Sequence, residues 1–132
     1  MKKVILLMMF TILAAWVNVE AQDDPFDPIF KAMQGSDARS LSASFNVTVE
    51  LLLPDNENTY SASQGEMIMK DFFKKYPPDS FTVIQKGTID PLSRFAIGNY
   101  VTGNRQFQVY ISLRKEKDRF LIQKIKFEEK KK

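Results

Sequence analysis

Glu50 and Asp71 come nearest among the carboxylates to an acid–base role, and Tyr60, Tyr100 and Tyr110 are the hydroxyls that would accompany them. Two carboxylates meeting in a pocket can hold and pass a proton, and a sheltered tyrosine can donate to a developing oxyanion. Each also has a plainer reading. Glu50 falls on the polar side of an alternating run, and Asp71 lies among Lys70, Lys74 and Lys75. The tyrosines fit amphipathic packing with a wet hydroxyl. The 132 residues contain no His and no Cys, which excludes Ser-His and Cys-His nucleophilic machinery, disulfides and His or Cys zinc centres. Asp55-Asn56-Glu57-Asn58 gathers oxygen donors in a turn but lacks the glycine and distal glutamate of an EF-hand loop. Gly87, Gly98 and Gly103 are not spaced as a phosphate loop. No catalytic residue, no metal site and no cofactor are therefore expected.

These residues are positioned by a chain that begins with a leader pattern. Lys2 and Lys3 precede an apolar stretch from Val4 to Val17, and Val19-Glu20-Ala21 has the small-x-small form of a cleavage site. The apolar stretch is shorter than the roughly 20 residues a membrane-spanning helix needs. The expectation is a signal peptide over 1–21 cleaved after Ala21, a periplasmic or secreted product, no stable membrane span after cleavage, and a single domain over 22–132 with its core in 25–128. The whole chain carries 19 basic and 16 acidic residues, and losing Lys2, Lys3 and Glu20 leaves the remainder nearly balanced. Bases and acids alternate within most segments rather than forming a basic stripe interleaved with aromatics, so no nucleic-acid partner is expected.

Asp27 followed by Pro28 predicts a helix start, and Ile29, Phe30 and Met33 recur at helical spacing until Gly35. Ser36 is the expected cap of a second short helix bearing Ala38, Leu41 and Phe45. Residues 46–53 read as a strand in which Val47, Val49, Leu51 and Leu53 share a face, followed by a turn at 54–58 and a short return strand at Thr59 and Tyr60. Ser61 with Gln64, or Ser63 with Glu66, makes a capping box for a helix whose inner face is Gly65, Ile68, Met69, Phe72, Phe73 and Tyr76. Pro77-Pro78 ends that helix at Tyr76.

From Ser80 the period becomes two, with strands expected at 81–87, 94–102, 106–115 and 119–128. Gly103-Asn104 and Glu116-Lys117-Asp118 close two hairpins. In the third of these strands Phe107, Val109, Ile111 and Leu113 make one unbroken apolar face. Simple alternation in the last strand sets Leu121, Gln123, Ile125 and Phe127 on one side and Phe120 and Ile122 on the wetter one. Two candidate sites follow. Phe72, Phe73, Phe81, Val83, Phe107, Val109 and Ile125 would line an apolar pocket between helix and sheet. Tyr100, Tyr110, Phe120 and Ile122 would form an exposed apolar patch suited to an interface, a homodimer among the candidates.

The string Gly35-Ser36-Asp37 through Leu41 and Phe45, then Val49-Glu50-Leu51, Tyr60-Ser61, Lys70-Asp71-Phe72-Phe73, Pro77-Pro78 with Phe81-Thr82-Val83, Ala96-Ile97-Gly98 and Phe107-Gln108-Val109-Tyr110 resembles the exported bacterial family called domain of unknown function 4783. The resemblance covers 28–128. It implies an α+β fold in which N-terminal helices and one long amphipathic helix pack on a curved antiparallel sheet, the cone of the nuclear transport factor 2-like (cystatin-like) superfamily. It also implies export into a Gram-negative envelope, and it brings no functional residues with it. Superfamily enzymes such as ketosteroid isomerase work with an acidic base inside the cone, and no motif of this chain matches those positions.

The leading expectation is an exported noncatalytic binding or protein-interaction module taking a small apolar ligand or a protein partner. The alternative is a small isomerase- or dehydratase-like enzyme using carboxylate and Tyr without His. It requires an acid buried in the cone beside a tyrosine. A third reading, attachment to anionic envelope polymers or lipid, rests on Lys124, Lys126 and the tail at 130–132.

Overall fold

The computed structural model describes residues 24–131; the leader reading and the cleavage after Ala21 lie outside them. The chain runs through α1 (Phe26–Gln34), α2 (Ala38–Ser42), β1 (Phe45–Leu53), β2 (Asn56–Ser61), α3 (Ala62–Lys75), β3 (Ser80–Asp90), β4 (Ser93–Thr102), β5 (Arg105–Glu116) and β6 (Arg119–Glu129). The strands form one unclosed sheet in the order β2-β1-β6-β5-β4-β3. Neighbours are antiparallel except β1 and β6, which join the N-terminal hairpin to the C-terminal meander in parallel. The helices cover one face of this sheet, and the apolar residues between form a single core.

α1 begins two residues earlier than the Asp27-Pro28 pattern predicts. Pro28 is tolerated there because it sits in the first turn, where its missing N–H would have no intrahelical acceptor. Asp24 does the capping, accepting from the Phe26 amide at 2.9 Å. The second helix is capped by Asp37, which accepts from Ser40 N–H at 3.0 Å, rather than by Ser36. Ser36 instead takes a left-handed φ of 56° in the link. The Ser61–Gln64 capping box of α3 forms in both directions. Its inner face is as the spacing predicts, with Met67 outward.

Two irregularities reset which residues face the core. Phe45 pairs with Ile122 but Glu50 with Lys124, so β1 bulges away from β6 and Val47, expected on the apolar side, is 82% exposed. In β6, Leu113 pairs with Ile122 while Ser112 pairs with Lys124, leaving Gln123 as the extra residue of a bulge. Beyond it the alternation inverts. Ile122 turns inward at 0% exposure beside Ile125 and Phe127, and Phe120 follows it onto the same face. The expectation that Phe120 and Ile122 occupy the wetter side fails because strict alternation cannot pass through a bulge.

Gly98 faces the core opposite a third irregularity, between Val83 and Gln85 of β3. The Phe81 ring lies directly over it: a Cβ at Gly98 would come within 2.5 Å of that ring and 3.2 Å of the Thr82 carbonyl. Gly98→Ala should accordingly cost about 1–3 kcal/mol of stability by overpacking. Urea unfolding checks it, and an unchanged midpoint would mean that Phe81 packs elsewhere.

Candidate functional site

The residues expected to line a pocket are brought together, but as packed core. Phe72, Phe73, Phe81, Phe107, Val109 and Ile125 are each at most 5% exposed. The Phe72 ring centroid lies 4.4 Å from that of Phe127, 5.9 Å from Tyr100 and 6.4 Å from Phe107, distances of direct ring contact. Val83 departs from the set. It is 36% exposed because the β3 bulge follows it, on an edge strand.

The expected interface patch is also divided. Tyr100 and Ile122 are both 0% exposed, whereas Tyr110 and Phe120 are half-buried. Tyr100 shares the inward face of β4 with Ala96 and Gly98. Its hydroxyl donates to the Tyr76 carbonyl, and burial pushes its pKa up, so it is spent on the backbone as a neutral group. Among the described residues the buried set includes Thr102 and the tyrosines Tyr76 and Tyr100 as its hydroxyl-bearing side chains, and no carboxylate belongs to it. Glu50 lies 3.6 Å from Lys124 at the surface, and Asp71 is exposed. Tyr60 is half-buried on the β1–β2 hairpin. No group of three or more metal-ligating side chains occurs among the described residues.

Polar chemistry gathers instead at the two ends of the inward face. At one end Arg105 continues the alternation Leu113, Ile111, Val109, Phe107. Its Nε and Nη2 donate to the two Glu129 carboxylate oxygens at 2.6 and 3.1 Å, and Nη1 donates to the Tyr76 hydroxyl at 3.1 Å. Asp55 completes this group, accepting from Lys75 at 2.5 Å and from the Tyr76 hydroxyl at 3.3 Å. Leu53, Asp71 and Tyr76 flank a shallow cleft of about 210 Å³ beside it.

At the other end, the mouth, the inward face turns cationic. Arg94 lies two residues before Ala96 on the inward alternation of β4, and Lys115 two residues after Leu113 on that of β5. The β6 bulge sets Phe120 opposite Lys115. The Arg94 guanidinium carbon stands 4.3 Å from the Phe120 ring centroid, and Lys115 Nζ 5.9 Å from it. Pro25 and Pro28 at the start of α1, Ser44, Asp118 and Arg119 complete a cleft of about 730 Å³. Sequence reasoning passed over Arg94, Lys115 and Arg119. The signal available was a charge at the next inward position of each apolar alternation.

Asp24 fixes one wall by joining the α1 cap to Lys86 of β3. Burial disfavours its charge, but the Lys86 hydrogen bond, the Phe26 amide and the charges of Lys86 and Arg94 outweigh this and hold its pKa below the ordinary 3.8. Asp37, Asp55 and Glu129 are lowered too, by hydrogen bonds from Ser40, Lys75 and Arg105 respectively. A depressed carboxylate stabilises the fold fully above its unfolded pKa and loses that contribution as pH falls through the folded one. The melting temperature should therefore drop as pH goes below about 4. With no His in the chain, it should stay nearly level from about pH 6 to 9. Calorimetry across pH checks both limbs, and a step near neutrality would contradict them.

A curved sheet wrapped on a long helix, with a filled interior and an open polar mouth, is a cone-shaped α+β fold of the nuclear transport factor 2-like kind. Within that class the chain belongs to the family described as a domain of unknown function, DUF4783, whose sequence profile matches residues 26–128. The structure of a family protein from Bacteroides ovatus is similar with a TM-score of 0.75 at 24% identity, covering 80% of this chain and 96% of that one. One from Bacteroides uniformis gives 0.76 at 23% identity, covering 80% and 97%. A putative ketosteroid isomerase from Kribbella flavida shares the fold at a TM-score of 0.57 and 17% identity, covering 82% of this chain and 76% of that one. No curated protein gives a significant match.

Proposed function

We propose that the protein is an exported, noncatalytic binding module that takes its ligand at the mouth of the cone and uses the interior as a scaffold. The observation that carries this is the filling of the interior. The aromatic rings of Phe72, Tyr100, Phe107 and Phe127 contact one another and fill the space between helix and sheet. The isomerase-like alternative needs a sheltered acid beside a tyrosine, and here the acids lie outside the cone while the Tyr100 hydroxyl is already bonded to backbone. Export rests on the leader pattern of residues 1–21.

Native mass spectrometry of the full-length gene product, recovered gently from its own host's envelope fraction, tests both parts. The expected species is residues 22–132 carrying a non-protein mass. An uncleaved chain would contradict export, and a cleaved chain carrying nothing would contradict retention of a ligand.

A further inference from the structure

We propose that the mouth cleft is a receptor for an organic anion, its phosphate or carboxylate held by Arg94 with Lys115 and Arg119 and its apolar part laid against Phe120 and Pro28. This rests on the mouth-binding reading above and deepens it by naming the ligand's chemistry.

The two arginines at the ends of the inward face make the argument by contrast. Arg105 has a bidentate carboxylate and a tyrosine hydroxyl as acceptors. Arg94 has no carboxylate within salt-bridge distance among the described residues, and its Nε is buried without any acceptor. A buried N–H without a partner is a standing cost, and a shift of the Arg94 side chain toward a bound anion would relieve it. Asp24, whose charge interacts with that of Arg94, is committed to Lys86 and the Phe26 amide and acts on Arg94 only through space. Asp118 lines the cleft but makes no ion pair with the three cations.

The rest of the wall points the same way. Arg94 and Lys115 share one aromatic ring, which sets two like charges beside each other on an apolar surface. Neither cation is ion-paired among the described residues, so a bound anion would relieve their mutual repulsion. The Arg94 guanidinium rests over the Phe120 ring, and a guanidinium offers the two-point grip that a carboxylate or phosphate accepts. Phe120, Pro25 and Pro28 then supply apolar contact next to that grip. The volume, about 730 Å³, is that of a small-molecule site.

Titration calorimetry and amide NMR with octyl phosphate, octanoate and octanol test the proposal on the wild type, Arg94→Gln, Arg94→Lys and Lys31→Gln. Lys31 is exposed and is not among the residues that line the cleft, so its variant removes an equal charge outside the lining. The two anions should bind the wild type saturably with shifts at Arg94, Lys115 and Phe120. Affinity should fall about tenfold or more in Arg94→Gln, less in Arg94→Lys, and not at all in Lys31→Gln. Equal affinity in wild type and Arg94→Gln would overturn the anion assignment. Octanol binding at the same residues as tightly as octyl phosphate would overturn it while leaving the mouth as the site. No shift at the mouth with any probe would overturn both. Phosphatidylcholine vesicles with and without phosphatidylglycerol separate the two sources of the anion. Retention on the anionic vesicles that octyl phosphate competes away assigns it to a lipid headgroup, and binding of the free anions alone assigns it to a soluble metabolite.

Discussion

Phe107→Asp should yield no folded protein. Phe107 is 0% exposed and is ringed by Phe72, Tyr76, Tyr100 and Phe127 at centroid distances of 5.6 to 6.4 Å. Losing the ring alone costs about 3–5 kcal/mol, and an aspartate there would bury a charge whose neighbouring cation, Arg105, is already paired with Glu129, which adds several kcal/mol more. A domain of this size has only about 5–15 kcal/mol to lose. Near-ultraviolet circular dichroism and soluble yield at neutral pH check the result. A folded Phe107→Asp protein with a native spectrum would mean that the position borders space, and the filled interior would be wrong.

Ile122→Lys should cost more than about 3 kcal/mol, whereas Gln123→Lys should change stability by less than about 0.5 kcal/mol. The contrast follows from the β6 bulge. Strict alternation would seat Gln123 with Ile125 on the inner face and leave Ile122 outside, and the two substitutions would then exchange their effects. The bulge puts Ile122 at 0% exposure and leaves Gln123 exposed. Urea unfolding of both variants separates the two registers. The same bulge also carries Phe120 to the mouth, so a reversed result would remove one wall of the proposed anion site.

The parts of this fold that are legible in the sequence are those governed by local chemistry. The Ser61–Gln64 box starts α3, Pro77-Pro78 stops it, and Gly103 takes the positive φ that its two-residue hairpin requires. The run from Phe107 to Leu113 alternates cleanly because β5 is central and unbroken. Legibility ends where a bulge intervenes. Val47, Val83, Phe120 and Ile122 were each assigned by counting in twos, and each lies beside a register shift set by the neighbouring strand. Nothing local to Tyr100 shows that it leaves the expected patch, because the acceptor of its hydroxyl is the Tyr76 carbonyl 24 residues away in the chain. The mouth was missed for a related reason. Arg94 and Lys115 look like ordinary surface charges until three strands are aligned and the two fall at the end of the row that Leu113 and Ile122 occupy.

A filled interior leaves the mouth as the place for a ligand. Benzene enters dry apolar cavities of roughly 150 Å³ in protein cores, so its titration against the protein, followed by methyl NMR, tests the filling directly. No saturable shift is expected at Val109, Ile111 or Ile125. Saturable shifts at those methyl groups would show a usable cavity behind Phe72 and Phe107, and the ligand site would move from the mouth into the cone.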